Sequence, residues 1–419
     1  MKLFTINVVL LLTWILPISA QTEVDLFGYW KFYSDAENCM YKTSCELAFK
    51  QLDYREQQIA ALQTPEARSS YQEKVKEKLT RLMGPFPERT PLNARVTGVI
   101  KKDDYKVEKI IFESIPGYYV TAALFLPVPR KGKLPAVIYA SGHTENGFRS
   151  EVYQHIIINL VKKGFAVFAF DPVGQGERWQ YFEDEQNRRF RGSTIEHSYP
   201  GAQCYISGHS PTNYFVWDGI RSVDYLLTRK EIDPERIGMT GRSGGGTQTA
   251  YTAAMDDRIL AAAPECFITK MEYILKSIGP QDAEQNLYAM MAEGLDHADL
   301  LEVRAPKPTL MITTTRDFFS IQGARETYQE VKQFYQGLNA ANNIHMVEDD
   351  AEHKSTQKNR EAMYAFFQKH LNNPGSSADL EVEVLPEQEL WVTEQGKVAS
   401  IPAAESLFSL NKKAVQEQV

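Results

Sequence analysis

Residues 106–114 and 118–126 are rich in β-branched, aromatic and other apolar side chains, and Ile115-Pro116-Gly117 between them is turn chemistry. The pattern predicts two β-strands joined as a hairpin. Downstream the text changes. Residues 136–140 and 165–170 are apolar without interruption, and 236–240, 309–314 and 344–348 are short runs with apolar centres. Between these runs lie stretches with helical spacing: 152–163, a segment after Ser210-Pro211 with Val216, Ile220, Val223 and Leu227 on one side, 247–255, and a last one around Met363, Phe366, Phe367 and Leu371. Strands buried on both faces have no polar alternation to show, so this order predicts an α/β protein with a doubly wound, mostly parallel sheet covered by helices.

Upstream, residues 21–95 read as a helical extension. Its clearest helix starts at Thr64-Pro65, places Tyr71, Val75, Leu79 and Leu82 on one face, and stops at Gly84-Pro85. At the other end, Asn373-Pro374-Gly375-Ser376-Ser377 reads as a linker, and residues 380–385 and 389–393 alternate like strands around a Gln395-Gly396 turn. A small C-terminal β addition is therefore expected. The first twenty residues carry Lys2, an apolar run and small Ala20 before Gln21, the layout of a secretory signal peptide cut after Ala20. The expected organisation is a signal peptide at 1–20, the helical extension at 21–95, a catalytic domain at 96–372, and a linker with a β-rich tail at 373–419. The mature chain is expected to be secreted or periplasmic and free of the membrane.

Charge narrows the partners. Lys plus Arg number 46 and Asp plus Glu 54, a net charge of -8 that leaves no basic surplus for a phosphate backbone, so nucleic acid is not expected. Cys39, Cys45, Cys204 and Cys266 form no C-x-x-C pair, which excludes a zinc ribbon; Cys39 and Cys45 are able to pair in an oxidising compartment. Oligomeric state is left open.

Gly241-Arg242-Ser243-Gly244-Gly245 follows the strand at 236–240 and precedes the helix at 247–255. A G-x-S-x-G in that context is a nucleophile elbow: the serine sits on a strained strand-to-helix turn, and glycines flank it because side chains there would collide with backbone. An elbow serine needs a base and an orienting acid, which on such a scaffold follow in the order Ser, Asp or Glu, His. Asp317 comes just after the strand at 309–314 and His353 just after the strand at 344–348, both at carboxyl ends where ligands bind in open α/β sheets. Asp349, Asp350 and Glu352 share the histidine's loop as rivals for the acid role. The amide of Gly244 and one from His143 or Thr144, in the loop Ser141-Gly142-His143-Thr144-Glu145-Asn146-Gly147, are the expected oxyanion donors. The turn Asp171-Pro172-Val173-Gly174-Gln175-Gly176-Glu177-Arg178 lacks a GxGxxG pattern and is expected to shape the cleft wall rather than bind a dinucleotide. Residues 270–300 sit where a lid or specificity insert belongs and hold many polar groups, read as caps and hydrogen-bonded scaffold in preference to a metal site. The candidate substrate-binding set is Arg242, Glu145, Gln175, Glu177, Arg178, Asp282, Glu284 and His297. No metal and no cofactor is expected. Arg242 is either a partner for a substrate carboxylate or a buried support for the elbow.

Taken together, GRSGG, SGHTENG, DPVGQGER, GPQDAEQ and GLDHAD resemble the secreted acetylxylan-esterase-like α/β hydrolases of the carbohydrate-esterase group, over most of the chain from Leu79 to Phe408. The resemblance implies the α/β-hydrolase fold and a serine esterase that removes small ester groups, acetyl favoured, from plant-type polysaccharide. Ser243, Asp317 and His353 match its triad positions. Methyl-ester hydrolysis on uronic acids is the alternative within the group, a serine peptidase the alternative within the fold, and a non-catalytic binding protein on a hydrolase fold the alternative of another class.

Overall fold

The computed structural model describes residues 35–129, 132–184 and 187–418. The expected signal segment lies outside the described residues. The chain divides into a small unit ending at Lys50 and a large one from Gln51 onward. The first, where described, is a turn followed by the start of the helix Cys39–Ala60; Cys39 and Cys45 are free thiols, as are Cys204 and Cys266. No helix among the described residues is long and apolar enough to cross a membrane.

The large unit is built on one nine-stranded sheet. Its strands are β1 (Arg95–Lys101), β2 (Tyr105–Ile115), β3 (Tyr118–Pro127), β4 (Leu134–Ala140), β5 (Ala166–Phe170), β6 (Ile232–Arg242), β7 (Ala261–Glu265), β8 (Thr309–Thr314) and β9 (Ile344–Asp349), in the spatial order β1-β2-β3-β5-β4-β6-β7-β8-β9. β1, β2 and β3 are antiparallel, β3 pairs antiparallel with β5, and from β5 to β9 all neighbours are parallel. Alternate residues serve opposite faces. Val137, Tyr139, Val167 and Ala169 pack with Ile157, Leu160 and Phe367 from the helices Glu151–Lys162 and Gln357–His370. Ile138, Ala140, Phe168 and Phe170 pack on the other side with Val223 and Leu226 of the helix Pro211–Leu227 and Ala253 of the helix Gly244–Met255. The chain leaves β4 toward β5 on one side and later adds β6 on the other, so a crevice opens between the β4 and β6 carboxyl ends.

Two strands have no counterpart in the sequence reading. β7 is Ala-Ala-Ala-Pro-Glu, with all five residues buried, and alanine is the best helix former; only burial between β6 and β8 makes it a strand. β1 is an exposed edge strand whose polar positions and Gly98 hide its period.

The expected β-rich tail is corrected. Among the described residues after 372 there is no strand; 380–385 is irregular, Glu387–Leu390 and Val398–Ser400 are single 3-10 turns, and Leu407–Gln418 is an α-helix. The tail's backbone groups are met by side chains instead of a β-partner. Asn159 exchanges two hydrogen bonds of 2.9 Å with the Leu380 backbone, and Gln154 binds Leu385 N and O at 2.8 and 2.9 Å. Alternating Val382, Val384 and Leu385 still bury their sides against the core, so the alternation was real and its meaning was packing across a helix layer.

Candidate active site

β6 ends at Arg242, and Ser243 takes φ 60° and ψ -122° before the helix Gly244–Met255 begins. A non-glycine residue in that region is strained and persists only where its surroundings hold it. Ser243 N donates to Glu265 O at 2.9 Å, and Thr247 N donates back to Ser243 O at 2.9 Å. A Cβ on Gly245 would lie 2.1 Å from Ala140 O, so only glycine lets the new helix pass so close to β4. Gly244 is the first residue of the helix, where N–H groups have no carbonyl one turn earlier and the helix dipole favours negative charge.

Across the crevice, the loop after β4 meets the elbow. A Cβ built on Gly142 would lie 2.4 Å from Arg242 O and 3.2 Å from Ser243 Cβ. Gln175 Nε2 donates to Gly142 O at 2.8 Å, and Thr144 Oγ1 to Gly147 O at 3.1 Å, which fixes the loop's peptide planes. The His143 ring packs over Gly244, whose Cβ, if it had one, would lie 2.7 Å from His143 Cε1.

On the third edge, His353 Nδ1 lies 2.9 and 3.0 Å from the two Asp317 carboxylate oxygens. Asp317 Oδ1 also accepts from Phe319 N at 3.0 Å. Burial pushes the Asp317 carboxyl up, but the His353 ring and the Phe319 amide outweigh it and hold the group below the usual carboxylate range. Two of the three rival acids, Asp349 and Asp350, are engaged elsewhere. Asp350 takes Arg316 and Thr315, Asp349 lies 3.8 Å from Lys358, and Arg325 pairs with Glu348, which leaves Asp317 to the histidine. Phe318 is exposed and packs tilted against His353 with ring centroids 4.4 Å apart, a contact that no pattern in the sequence announced. Glu265 at the end of β7 was also missed; it is buried and accepts from Ser355 Oγ at 2.7 Å.

The candidate substrate-binding residues separate. Glu145 is exposed and pairs with Arg188 at 2.8 Å on the rim. Gln175 supports the loop beneath it, as described. Glu177 and Arg178 are not cleft residues: both side chains are 1% exposed and spent on the protein. Glu177 pairs with Arg149 and accepts from Val392 N and Thr393 N at 2.6 and 2.7 Å, while Arg178 pairs with Asp218 at 2.7 Å. The apparent turn chemistry of that segment thus builds the interior. His297 is corrected in the same way: it is buried, its Nδ1 accepts from Thr269 N at 3.3 Å, its ring lies 4.4 Å from Phe267, and burial pulls its pKa down to about 4. Arg242 is mostly buried, with its guanidinium 5.3 Å from the Tyr153 ring centroid. Burial works against its charge, while Tyr153 and Glu265 favour it.

Asp282 and Glu284 meet His143 and a residue absent from the candidate set, His197, in the helix Ser193–Ile206. Burial alone would lower both histidines; the two carboxylates raise His143 to about 10 and His197 to about 9. His197 escaped notice because Pro200 and Gly201 interrupt the helical text around it.

The family model "Acetyl xylan esterase" matches residues 93–288, and that of the prolyl oligopeptidase family matches 211–374, the stretch from before the elbow to past His353. The Bacillus subtilis (strain 168) protein YtaP, which carries the name of a hydrolase, is 24% identical over 316 residues, covering 71% of this chain and 98% of its own length. Among solved structures, a methylesterase superposes with a TM-score of 0.69 at 23% identity, covering 87% of this chain and 80% of its own. A Bacteroides fragilis protein described as an acetyl xylan esterase gives 0.58 at 17%, covering 68% and 76%. A glucuronoyl esterase from Caldicellulosiruptor kristjansonii gives 0.53 at 15%, covering 82% and 92%. The chain has the α/β-hydrolase fold. Over residues 93–288 it is acetylxylan-esterase-like, an ester hydrolase by that match.

Proposed function

We propose that the protein is a serine esterase that removes acetyl groups from plant-type polysaccharide, after export through a signal peptide at residues 1–20. Ser243 attacks the ester carbonyl; His353 takes the hydroxyl proton and returns it to the leaving alkoxide; Asp317 holds the imidazole in the tautomer that leaves Nε2 free to accept. The amide of Gly244 and that of His143 or Thr144 hold the oxyanion. The acyl-serine is then cleaved by water activated by the same histidine. The His353–Asp317 hydrogen bond, on the same carboxyl edge of the sheet as the strained elbow, is the observation that carries the hydrolytic reading.

Arg242 favours acetyl over a uronate methyl ester. Its guanidinium packs on Tyr153 beneath the elbow, a place from which it supports the turn instead of meeting a substrate carboxylate. The methyl-ester reading keeps one observation of its own. Arg188 lies over the Trp179 ring at 4.0 Å and pairs with Glu145 in the loop after β4, so a guanidinium stands at the cleft rim. Acetate and methanol released from native acetylated xylan and methyl-esterified pectin separate the two; acetate from xylan is expected. Methanol from pectin with no acetate from any polymer would overturn the acetyl reading and leave the triad standing.

A further inference from the structure

Beside the elbow, four donor atoms converge on one point. His143 Nε2 lies 2.8 Å from Asp282 Oδ2, 2.9 Å from Glu284 Oε1 and 3.0 Å from His197 Nδ1. His197 Nδ1 in turn lies 3.1 Å from the same Asp282 oxygen and 3.2 Å from Glu284 Oε2. One ligand atom from each of the four residues falls within 4.8 Å of the others. The side chains of His197, Asp282 and Glu284 are buried, and that of His143 is 15% exposed.

Hydrogen bonding does not satisfy this arrangement. His197 Nε2–H donates to Val173 O at 2.8 Å, and in the neutral ring that tautomer turns the Nδ1 lone pair toward two carboxylates. A single proton on His143 Nε2 would then have to serve a second imidazole and two carboxylates. Glu284 Oε2, fully buried, receives no hydrogen bond of acceptable geometry. Protonating both rings, which the two carboxylates favour while no cation is bound, still sets two like-charged N–H groups against each other at 3.0 Å. Two imidazole and two carboxylate lone pairs aimed at one point call for a Lewis acid. The anchoring of one ring through its far N–H to a backbone carbonyl is how proteins orient histidines that ligate metals.

We infer that His143, His197, Asp282 and Glu284 bind one divalent cation of the zinc class, in place of the scaffold role expected for the acidic pair. Imidazole nitrogens favour zinc-like ions over magnesium or calcium. Ligand bonds of about 2.0–2.2 Å place tetrahedral donors about 3.3–3.6 Å apart, so the contacts of 2.8–3.2 Å need open by less than about 1 Å. With all four positions taken by protein the site is closed and structural. Its place gives it a task. His143 belongs to the loop after β4 and packs on Gly244, so the cation ties that loop and the helix Ser193–Ile206 to the turn Ala283–Gln285 and fixes where the loop's amides face the elbow.

The test uses the full chain, stripped with a chelator and titrated with Co²⁺. Saturation at one equivalent is expected, with the visible d–d absorption of a four-coordinate ion, its displacement by Zn²⁺, and a rise in melting temperature. His197→Asn and Asp282→Asn should each lose the absorption, while Asp317→Asn, in the separate Cys266, Asp317 and His353 group, should keep it. Absence of saturable absorption and of any thermal shift in the wild-type chain overturns the inference. So does absorption that survives in both cluster variants or vanishes in Asp317→Asn. If the variants do not fold, the wild-type titration and its Zn²⁺ competition decide alone. None of these readouts depends on turnover, so a chain that binds Co²⁺ but hydrolyses no ester would overturn the proposed function and leave this site intact.

Discussion

Ser243, with φ 60°, holds a conformation that costs about 1–3 kcal/mol for a non-glycine residue, the turn that a nucleophile elbow uses to expose its serine. Ser243→Ala and His353→Ala should each lower kcat by about 10^4 or more with the fold retained, because members of a triad act as a unit. A folded variant that keeps a tenth of wild-type turnover on p-nitrophenyl acetate removes that residue from the mechanism. Asp317 makes a second prediction, on pH. Its folded pKa lies below its unfolded value, so its contribution to stability is present above about pH 4 and is lost as pH falls through the depressed value. Asp317→Asn should therefore be less stable than wild type at neutral pH, with the gap closing in acid; a gap constant from pH 7 to 3 contradicts a stabilised Asp317 carboxylate. These three residues were legible in the sequence because strand, elbow and loop order constrain where they fall. Phe318 and Glu265 were not, since an exposed aromatic and a strand-end carboxylate have no spacing rule, and only the folded sheet brings them to His353.

Element boundaries were legible wherever one face of a segment was polar or a whole segment apolar. The helix Pro65–Met83 shows both: Thr64 Oγ1 accepts from Ala67 N at 3.2 Å, Gly84 ends it at φ 79°, and Val75, Leu79 and Met83 are buried. The tail was misread because its strand-like alternation recorded burial against one layer, and alternation cannot say whether backbone groups will find a strand edge or side chains. Glu177 and Asp379 are the anchors that replaced an edge. Asp379 pairs with Arg360 and His155 and accepts from Tyr364 Oη at 3.1 Å, and Glu177 holds Val392 and Thr393 while paired with buried Arg149. Glu177→Ala should destabilise the protein by about 3 kcal/mol in urea unfolding, since it strips hydrogen bonds from a charged acceptor and a partner from a buried arginine. Limited proteolysis should then cut first within residues 380–395. Wild-type stability with an unaltered cleavage pattern would show that the tail is held by its apolar side chains alone.

At the scale of the whole molecule, the sheet brings three separate loops to one rim. The loop after β4 and the elbow after β6 face each other because the strand order reverses there, and the β8 and β9 ends deliver Asp317 and His353 to the same edge. Nothing in that layout distinguishes which side of the ester carries the sugar, so specificity has to come from what surrounds the rim. Two arginines divide the alternatives. Arg242 lies under the elbow against Tyr153 and beside buried Glu265, so Arg242→Ala should cost about 1–3 kcal/mol by leaving buried polar groups unmatched, and should lower kcat/KM for acetyl and methyl esters alike. Arg188 stands at the rim, tied to Glu145. If the substrate were a uronate, Arg188→Ala would raise KM for the charged polymer alone, with kcat held, because a lost contact common to ground and transition states weakens binding uniformly. For a neutral acetylated xylan the same variant should leave kcat/KM within about twofold, the size of a small surface effect on this scale. Measuring both variants on both polymers reads the ester's orientation from kinetics: uniform loss in Arg242→Ala with no selective loss in Arg188→Ala is the outcome expected for an acetyl esterase. A selective rise in KM on pectin in Arg188→Ala would show that the carboxylate of a uronate is what the rim was built to hold.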